Sequence, residues 1–321
     1  MRLFLIKSFV FLCPIFILFV FSFFPTPEAG DLVRIANVQA KNMKPDLKQE
    51  GVKNLHPLNH AQKNVLIIGD SFTNRSDPQR NFQNHLSKDY AVFTFCNQWL
   101  SNNNPFQSLQ FAKDSLKNAG RPEPSFVIIQ SVERALLARL KSIEQDTSIR
   151  EIEMEPHDIS WQLTTSLRRG WGFTKTSFLK LLGSNRTSSK KALWLKEQHN
   201  EGKPTLVYAD DLMFGKGLDF KTAAINLPLL TNQAQHIFPN ARILVLVIPD
   251  KTSALSATHL GPFFSSAPDW NELSSHVLYP IQELQDAISL GTKDVYRNGD
   301  THLGELGAKI VASSITVALD M

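Results

Sequence analysis

The chain has 321 residues, of which 42% are apolar, and a net charge of +4. That length and apolar content support one large domain or two modest ones around an ordinary buried core, and exclude a disordered or fibrous protein. The charge is spread thinly, with Arg168-Arg169 and Lys190-Lys191 as isolated pairs, so no basic run interleaved with aromatics points to nucleic acid.

In chain order, residues 8–24 read SFVFLCPIFILFVFSFF, a stretch without charge that is long enough to span a bilayer. Residues 3–6 extend it if Lys7 snorkels to the interface. Arg2 and Lys7 precede it and Glu28 and Asp31 follow it, which places the N-terminus in the cytoplasm and the remainder outside. The exit FFPTPEAG offers a poor cleavage site, which favours an uncleaved anchor over residues 1–27 against a cleaved signal peptide. The two cysteines, Cys13 and Cys96, make no disulfide framework, since Cys13 lies inside this apolar run, and no cysteine-based metal site is expected.

Residues 28–61 are polar, contain Pro45 and Pro57 and show no sustained period, as a juxtamembrane linker does. A domain over 62–321 follows, in which short apolar runs alternate with helical patterns. The runs are 65–68, 91–95, 126–129, 243–248 and a weaker 294–296. This alternation predicts an α/β fold with a central, mostly parallel sheet of about five strands. Helices are expected from Asn104-Pro105 to about Ala119, over 222–238, and from near Leu303, with Ile310, Val311 and Ile315 on one side of the last. Residues 140–217 break the alternation with charged helical patterns, the aromatic segment WGFTKTSF and the loop GSNRTSSKK. They read as a helical insertion, either a cap beside a ligand site or an excursion without functional role.

The run VLII ends in Gly69-Asp70-Ser71. A glycine there lets the chain turn sharply over the sheet edge and sets Ser71 at a strand's C-terminal end, where open α/β sheets bind ligands. A serine hydroxyl is a poor nucleophile until a base takes its proton. The base candidate is His302 in VYRNGDTHLGELG, a turn that also carries Asp300. Residues two apart can set a carboxylate against one imidazole nitrogen while the other points across the sheet edge. Asp70 reads as a cap of its own turn, and Glu133-Arg134 as an ion-pair or helix-start feature. The remaining histidines show no metal-ligand spacing, and no glycine loop of the phosphate-binding type is present, so neither metal nor cofactor is expected.

The blocks IGDSF, VIIQSVERAL, VLVIPDK and GDTHLGELG together resemble the SGNH hydrolase superfamily, and within it the branch of the alginate O-acetyltransferases. The likeness spans most of 65–312 as spaced blocks and says little of the insertion. It implies an SGNH, flavodoxin-like three-layer fold, with Ser71 as acyl-accepting nucleophile, His302 as general base and then acid, and Asp300 orienting His302. The glycine and asparagine that donate to the oxyanion across the wider superfamily are replaced by FCNQWLSNNN after the second strand and by Gln130-Ser131 after the third. Asn97, Gln98 and Gln130 remain open as donors, and Arg134 and Lys251 as substrate-binding candidates.

The expectation is therefore a serine O-acyltransferase, acting on acetyl groups of an exported polysaccharide or cell-wall glycan. It would be single-pass in the inner membrane with its catalytic domain in the periplasm, and an integral membrane O-acyltransferase could serve as acetyl donor. The alternatives are a carbohydrate acetylesterase or lipase-like hydrolase, with residues 171–178 lining an acyl pocket, and a non-catalytic polysaccharide-binding subunit of the same fold.

Overall fold

The computed structural model describes residues 53–54, 63–73, 81–86, 89–95, 105–143, 192–200, 203–208, 220–255, 269–297 and 300–321. The expected N-terminal anchor lies outside them. Among the described residues no helix is long and apolar enough to cross a membrane.

The strands are β1 (Lys53–Asn54), β2 (Asn64–Ile68), β3 (Ala91–Phe95), β4 (Phe126–Val132), β5 (Ala192–Asn200), β6 (Lys203–Tyr208), β7 (Arg242–Ile248) and β8 (Val277–Leu278). The main sheet has the order β1-β3-β2-β4-β7-β8. Its five strands from β3 to β8 run parallel, and β1 joins one edge antiparallel to β3. The helices are α1 (Phe82–Leu86), α2 (Pro105–Asn118), α3 (Glu133–Ile143), α4 (Phe220–Ile237), α5 (Lys251–Leu255), α6 (Ile281–Ser289) and α7 (Glu305–Asp320).

Strand side chains alternate between faces, and here both faces are buried, so the strands read as continuous apolar runs. Val65, Ile67, Ile128, Leu244, Leu246 and Ile248 pack with α1, α5, α6 and α7 on one side. Leu66, Ile68, Val127, Ile129, Val245 and Val247 pack with α2, α3 and α4 on the other. Each such fully buried aliphatic side chain contributes ~1.5–3 kcal/mol relative to exposure.

This winding places the site. The chain leaves β2 toward α1 on one face and leaves the neighbouring β4 toward α3 on the opposite face. Between two such strands the connections diverge and open a crevice at their C-terminal ends. Ser71 stands at that switch point, on a short 3-10 turn, Ser71–Thr73, directly after β2.

Two expectations are corrected. The fifth parallel strand is β8, two residues long, and not the run 294–296, where Tyr296 makes a single antiparallel bridge to Leu303. Residues 292–297 close a turn against the start of α7 instead of extending the sheet edge. The insertion, expected to be helical, contains in its described part the antiparallel hairpin β5–β6. Val207 of that hairpin is buried in the cluster that holds Leu246, Ile248 and Leu255. The segment WGFTKTSF lies outside the described residues.

Candidate active site

The Ser71 turn is built from β2 outward. Gly69 has no room for a side chain: a Cβ there would lie 2.3 Å from Gln130 Oε1 and 2.5 Å from Thr73 Cγ2. Glycine lets the turn close directly onto β4. Gln130, fully buried at the end of β4, accepts the Asp70 N–H through Oε1 at 2.9 Å. Its carbonyl oxygen thus holds the turn from beneath, in a fully buried position. Asn97 and Gln98 lie outside the described residues.

Asp70 caps the turn as expected, its Oδ1 accepting the Phe72 N–H at 3.1 Å, while the Thr73 N–H goes to the Asp70 carbonyl at 2.9 Å. Its second oxygen reaches further. Oδ2 accepts the Val132 N–H at 2.9 Å and an Arg139 N–H at 3.0 Å. Burial alone would raise this carboxyl, but the Arg139 charge and the N–H groups of Val132 and Phe72 hold it below the usual carboxylate range. Arg139 is itself buried in α3 and also bonds Ser131 Oγ. The sequence reading missed it. The available signal was its place on the apolar face of α3, three residues after Leu136 and four before Ile143, both buried.

The histidine turn comes from the other end of the chain. Asp294, at a positive φ of 60°, caps α7 by accepting the Glu305 N–H at 2.7 Å. Gly304 permits this closeness, since a Cβ there would lie 2.0 Å from the Asp294 carbonyl oxygen. The turn closes on itself through Arg297 N–H to the His302 carbonyl at 3.3 Å and Asp300 N–H to the Arg297 carbonyl at 3.4 Å.

The two turns meet. His302 Nε2 lies 3.0 Å from Ser71 Oγ, and His302 Nδ1 lies 2.6 Å from Asp300 Oδ1. An ionised Asp300 only accepts, so Nδ1 carries the proton and Nε2 is the acceptor for the Ser71 hydroxyl. Arg297 donates to Asp300 Oδ2 at 3.1 Å, and the Phe72 ring packs on the imidazole with centroids 4.4 Å apart. Ser71 is exposed, whereas Asp300 and His302 are buried. The arrangement can therefore draw a proton from Ser71 Oγ toward Nε2 while the carboxylate stabilises the imidazolium that forms.

The two substrate-binding candidates are engaged elsewhere. Arg134 donates from its backbone to Asp250 Oδ2 at 2.9 Å and pairs with Oδ1 of the same residue through its guanidinium. Lys251 is only 1% exposed, and its Nζ donates to the carbonyls of Arg297 and Asp300. It faces the turn that carries the acid, which corrects its reading as a residue displayed to substrate.

Beside Arg134, Glu133 is fully buried and accepts the Asp250 N–H and the Tyr279 hydroxyl, each at 2.9 Å. Burial and then the Asp250 charge push its carboxyl up to about 7, against the hydrogen bonds it accepts. Burial also raises Asp250, opposed by Arg134, and lifts the Tyr279 hydroxyl well above its usual value.

Compared with known proteins, the chain is matched by no family model, and no curated protein is similar enough to count as a relative.

Proposed function

We propose that this protein is a serine-dependent O-acyltransferase, most simply an O-acetyltransferase, that modifies an exported polysaccharide or cell-wall glycan through an acyl-enzyme on Ser71. The observation that carries this reading is the line Asp300–His302–Ser71, with hydrogen-bond spacing at both joints, at the switch point between diverging connections. The SGNH-like, flavodoxin-like assignment draws support from the order of the five parallel strands, which in chain order is 2-1-3-4-5. The nucleophile follows the first of them, and Asp300 and His302 precede the last helix.

In the first half-reaction Ser71 Oγ attacks the carbonyl carbon of an acetyl ester as its proton passes to His302 Nε2. The ester C–O bond breaks from the tetrahedral intermediate, and His302 returns the proton to the departing oxygen. In the second half, a sugar hydroxyl gives its proton to His302 and attacks the acetyl carbon, and Ser71 Oγ leaves with that proton. Water in place of the sugar turns the same sequence into hydrolysis, the esterase reading. The Phe72 and Thr73 N–H groups are taken up by Asp70, which leaves the Ser71 N–H as the turn's donor toward a developing oxyanion.

An N-terminal membrane anchor would hold this site on the periplasmic side of the inner membrane, beside an integral membrane protein relaying acetyl groups from the cytoplasm. The test uses the full chain with p-nitrophenyl acetate as donor, with and without oligosaccharide acceptors. Ser71→Ala and His302→Ala should each lower turnover by ~10³-fold or more. Wild-type turnover in either folded variant removes the reading. Acetylated oligosaccharide assigns a transferase, and acetate release unaffected by any acceptor assigns an esterase.

A further inference from the structure

Lys251 opens α5 where β7 ends, and all five residues of this helix are buried. An ammonium taken out of water is retained only where acceptors replace its hydration, because an uncompensated buried charge costs several kcal/mol. The acceptors here include the carbonyl oxygens of Arg297 and of Asp300, the latter at 3.3 Å. These two carbonyls bracket the turn that presents the Asp300 carboxylate to His302. Tyr296, the residue before that turn, is tied to the same place by its hydroxyl, which donates to the Pro249 carbonyl at 2.8 Å.

Resting on the triad reading above, we propose that Lys251 is a positioning residue for the acyl-transfer reaction: its buried ammonium clamps the backbone of the Asp300 turn and so sets the carboxylate against His302 Nδ1. The acid is held from two directions. Arg297 grips Oδ2 through a side chain that is 22% exposed, whereas Lys251 acts from the core side and through the backbone. The solvent-facing arginine leaves the turn free to shift with its own side chain, since Arg297 belongs to that turn. Lys251 belongs to a separate buried helix and supplies the fixed point. A misplacement of about 1 Å at such a joint lowers turnover ~10²-fold without touching substrate.

The experiment compares Lys251→Met, which keeps the stem and removes the donors, with the wild-type full chain. The readouts are thermal unfolding, kcat and KM on p-nitrophenyl acetate, and the downfield proton resonance of the His302 Nδ1–H to Asp300 hydrogen bond. The expected result is a folded variant with kcat lowered ~10- to 100-fold, KM changed less than about 2-fold and the downfield resonance lost or broadened. A folded variant with wild-type kcat and an intact resonance overturns the proposal, as does a lowered melting temperature with both unchanged. If Lys251→Met does not fold, Lys251→Gln, whose shorter amide keeps a donor, is read by the same criteria; failure of both to fold makes Lys251 a residue of the fold alone and sinks the proposal. Ser71→Ala separates the two claims. Wild-type turnover in Ser71→Ala removes the triad reading, whereas an inactive Ser71→Ala beside a fully active Lys251→Met removes only the role of Lys251.

Discussion

Ser71 and His302 are brought together by two turns that are anchored in different ways. The Ser71 turn is locked into the sheet: Gly69 lies flush against Gln130, and Asp70 reaches across the end of β4 to a buried arginine in α3. The histidine turn is closed by its own backbone and its own Arg297, and is held from outside by Lys251. On the first side the anchor is a buried ion pair that the fold cannot lose one half of. On the second it is a set of hydrogen bonds to backbone and carboxylate that aim one side chain. Damage to the first anchor should therefore register mainly as stability, and damage to the second mainly as turnover.

The strongest way to break that contrast is Arg139→Ala, which leaves Asp70 ionised and buried without its cation. Loss of one partner of such a pair costs about 3–5 kcal/mol. Urea unfolding should show a drop of that size, and a change below about 1 kcal/mol would mean that the ion pair does not anchor the turn. Next comes Gly69→Ala. The added methyl must displace the Gln130 amide that holds the Asp70 N–H, an overpacking of about 1–3 kcal/mol. Turnover on p-nitrophenyl acetate should fall with it, because the same shift moves Ser71.

A smaller effect sharpens the comparison from a neighbouring strand end, where a carboxylate as buried as Asp70 has another carboxylate nearby. The folded-state value of Glu133 is raised from 4.5 to about 7, so between these values the folded protein holds a proton that the unfolded chain has lost. The stabilisation from this group is complete below about pH 4.5 and is lost as pH rises through about 7. Asp70 has the opposite sign: its folded value is lowered, so its contribution is present above its unfolded value of 3.8 and fades as pH falls through the folded one. Glu133→Gln, in which the Tyr279 hydroxyl can reverse its hydrogen bond, should flatten the decline between pH 4.5 and 7. At pH 8 it should exceed the wild type by on the order of 1 kcal/mol. An unchanged melting-temperature profile over this range would contradict the assignment.

The four longer parallel strands and both halves of the Ser71–His302 meeting were legible, because a buried strand writes itself as an unbroken apolar run. Gly-Asp-Ser and Asp-Thr-His fall where such runs end. The edge strand β8 was not legible. At two residues it carries no period, and Val295 and Tyr296, buried by packing under α7, gave a stronger false signal. Arg139 was hidden for a related reason: an arginine in a helix reads as a solvated residue until its place beside Leu136 and Ile143 is noticed. Lys251 was named as a substrate-binding candidate, and only the fold shows that its ammonium turns inward to Arg297 and Asp300. Side-chain direction at a strand-to-helix junction depends on which loop arrives there, and that loop begins more than forty residues later.

Ser71, activated by His302, is the proposed carrier of the acyl group. This role is tested most directly by exposing the full chain to p-nitrophenyl acetate, quenching with acid within the first turnover and mapping acetylation by peptide mass spectrometry. An acetyl group is expected on Ser71 in the wild type and none there in His302→Ala. A folded wild-type protein whose Ser71 stays unmodified, or one in which His302→Ala acetylates Ser71 just as readily, would contradict it.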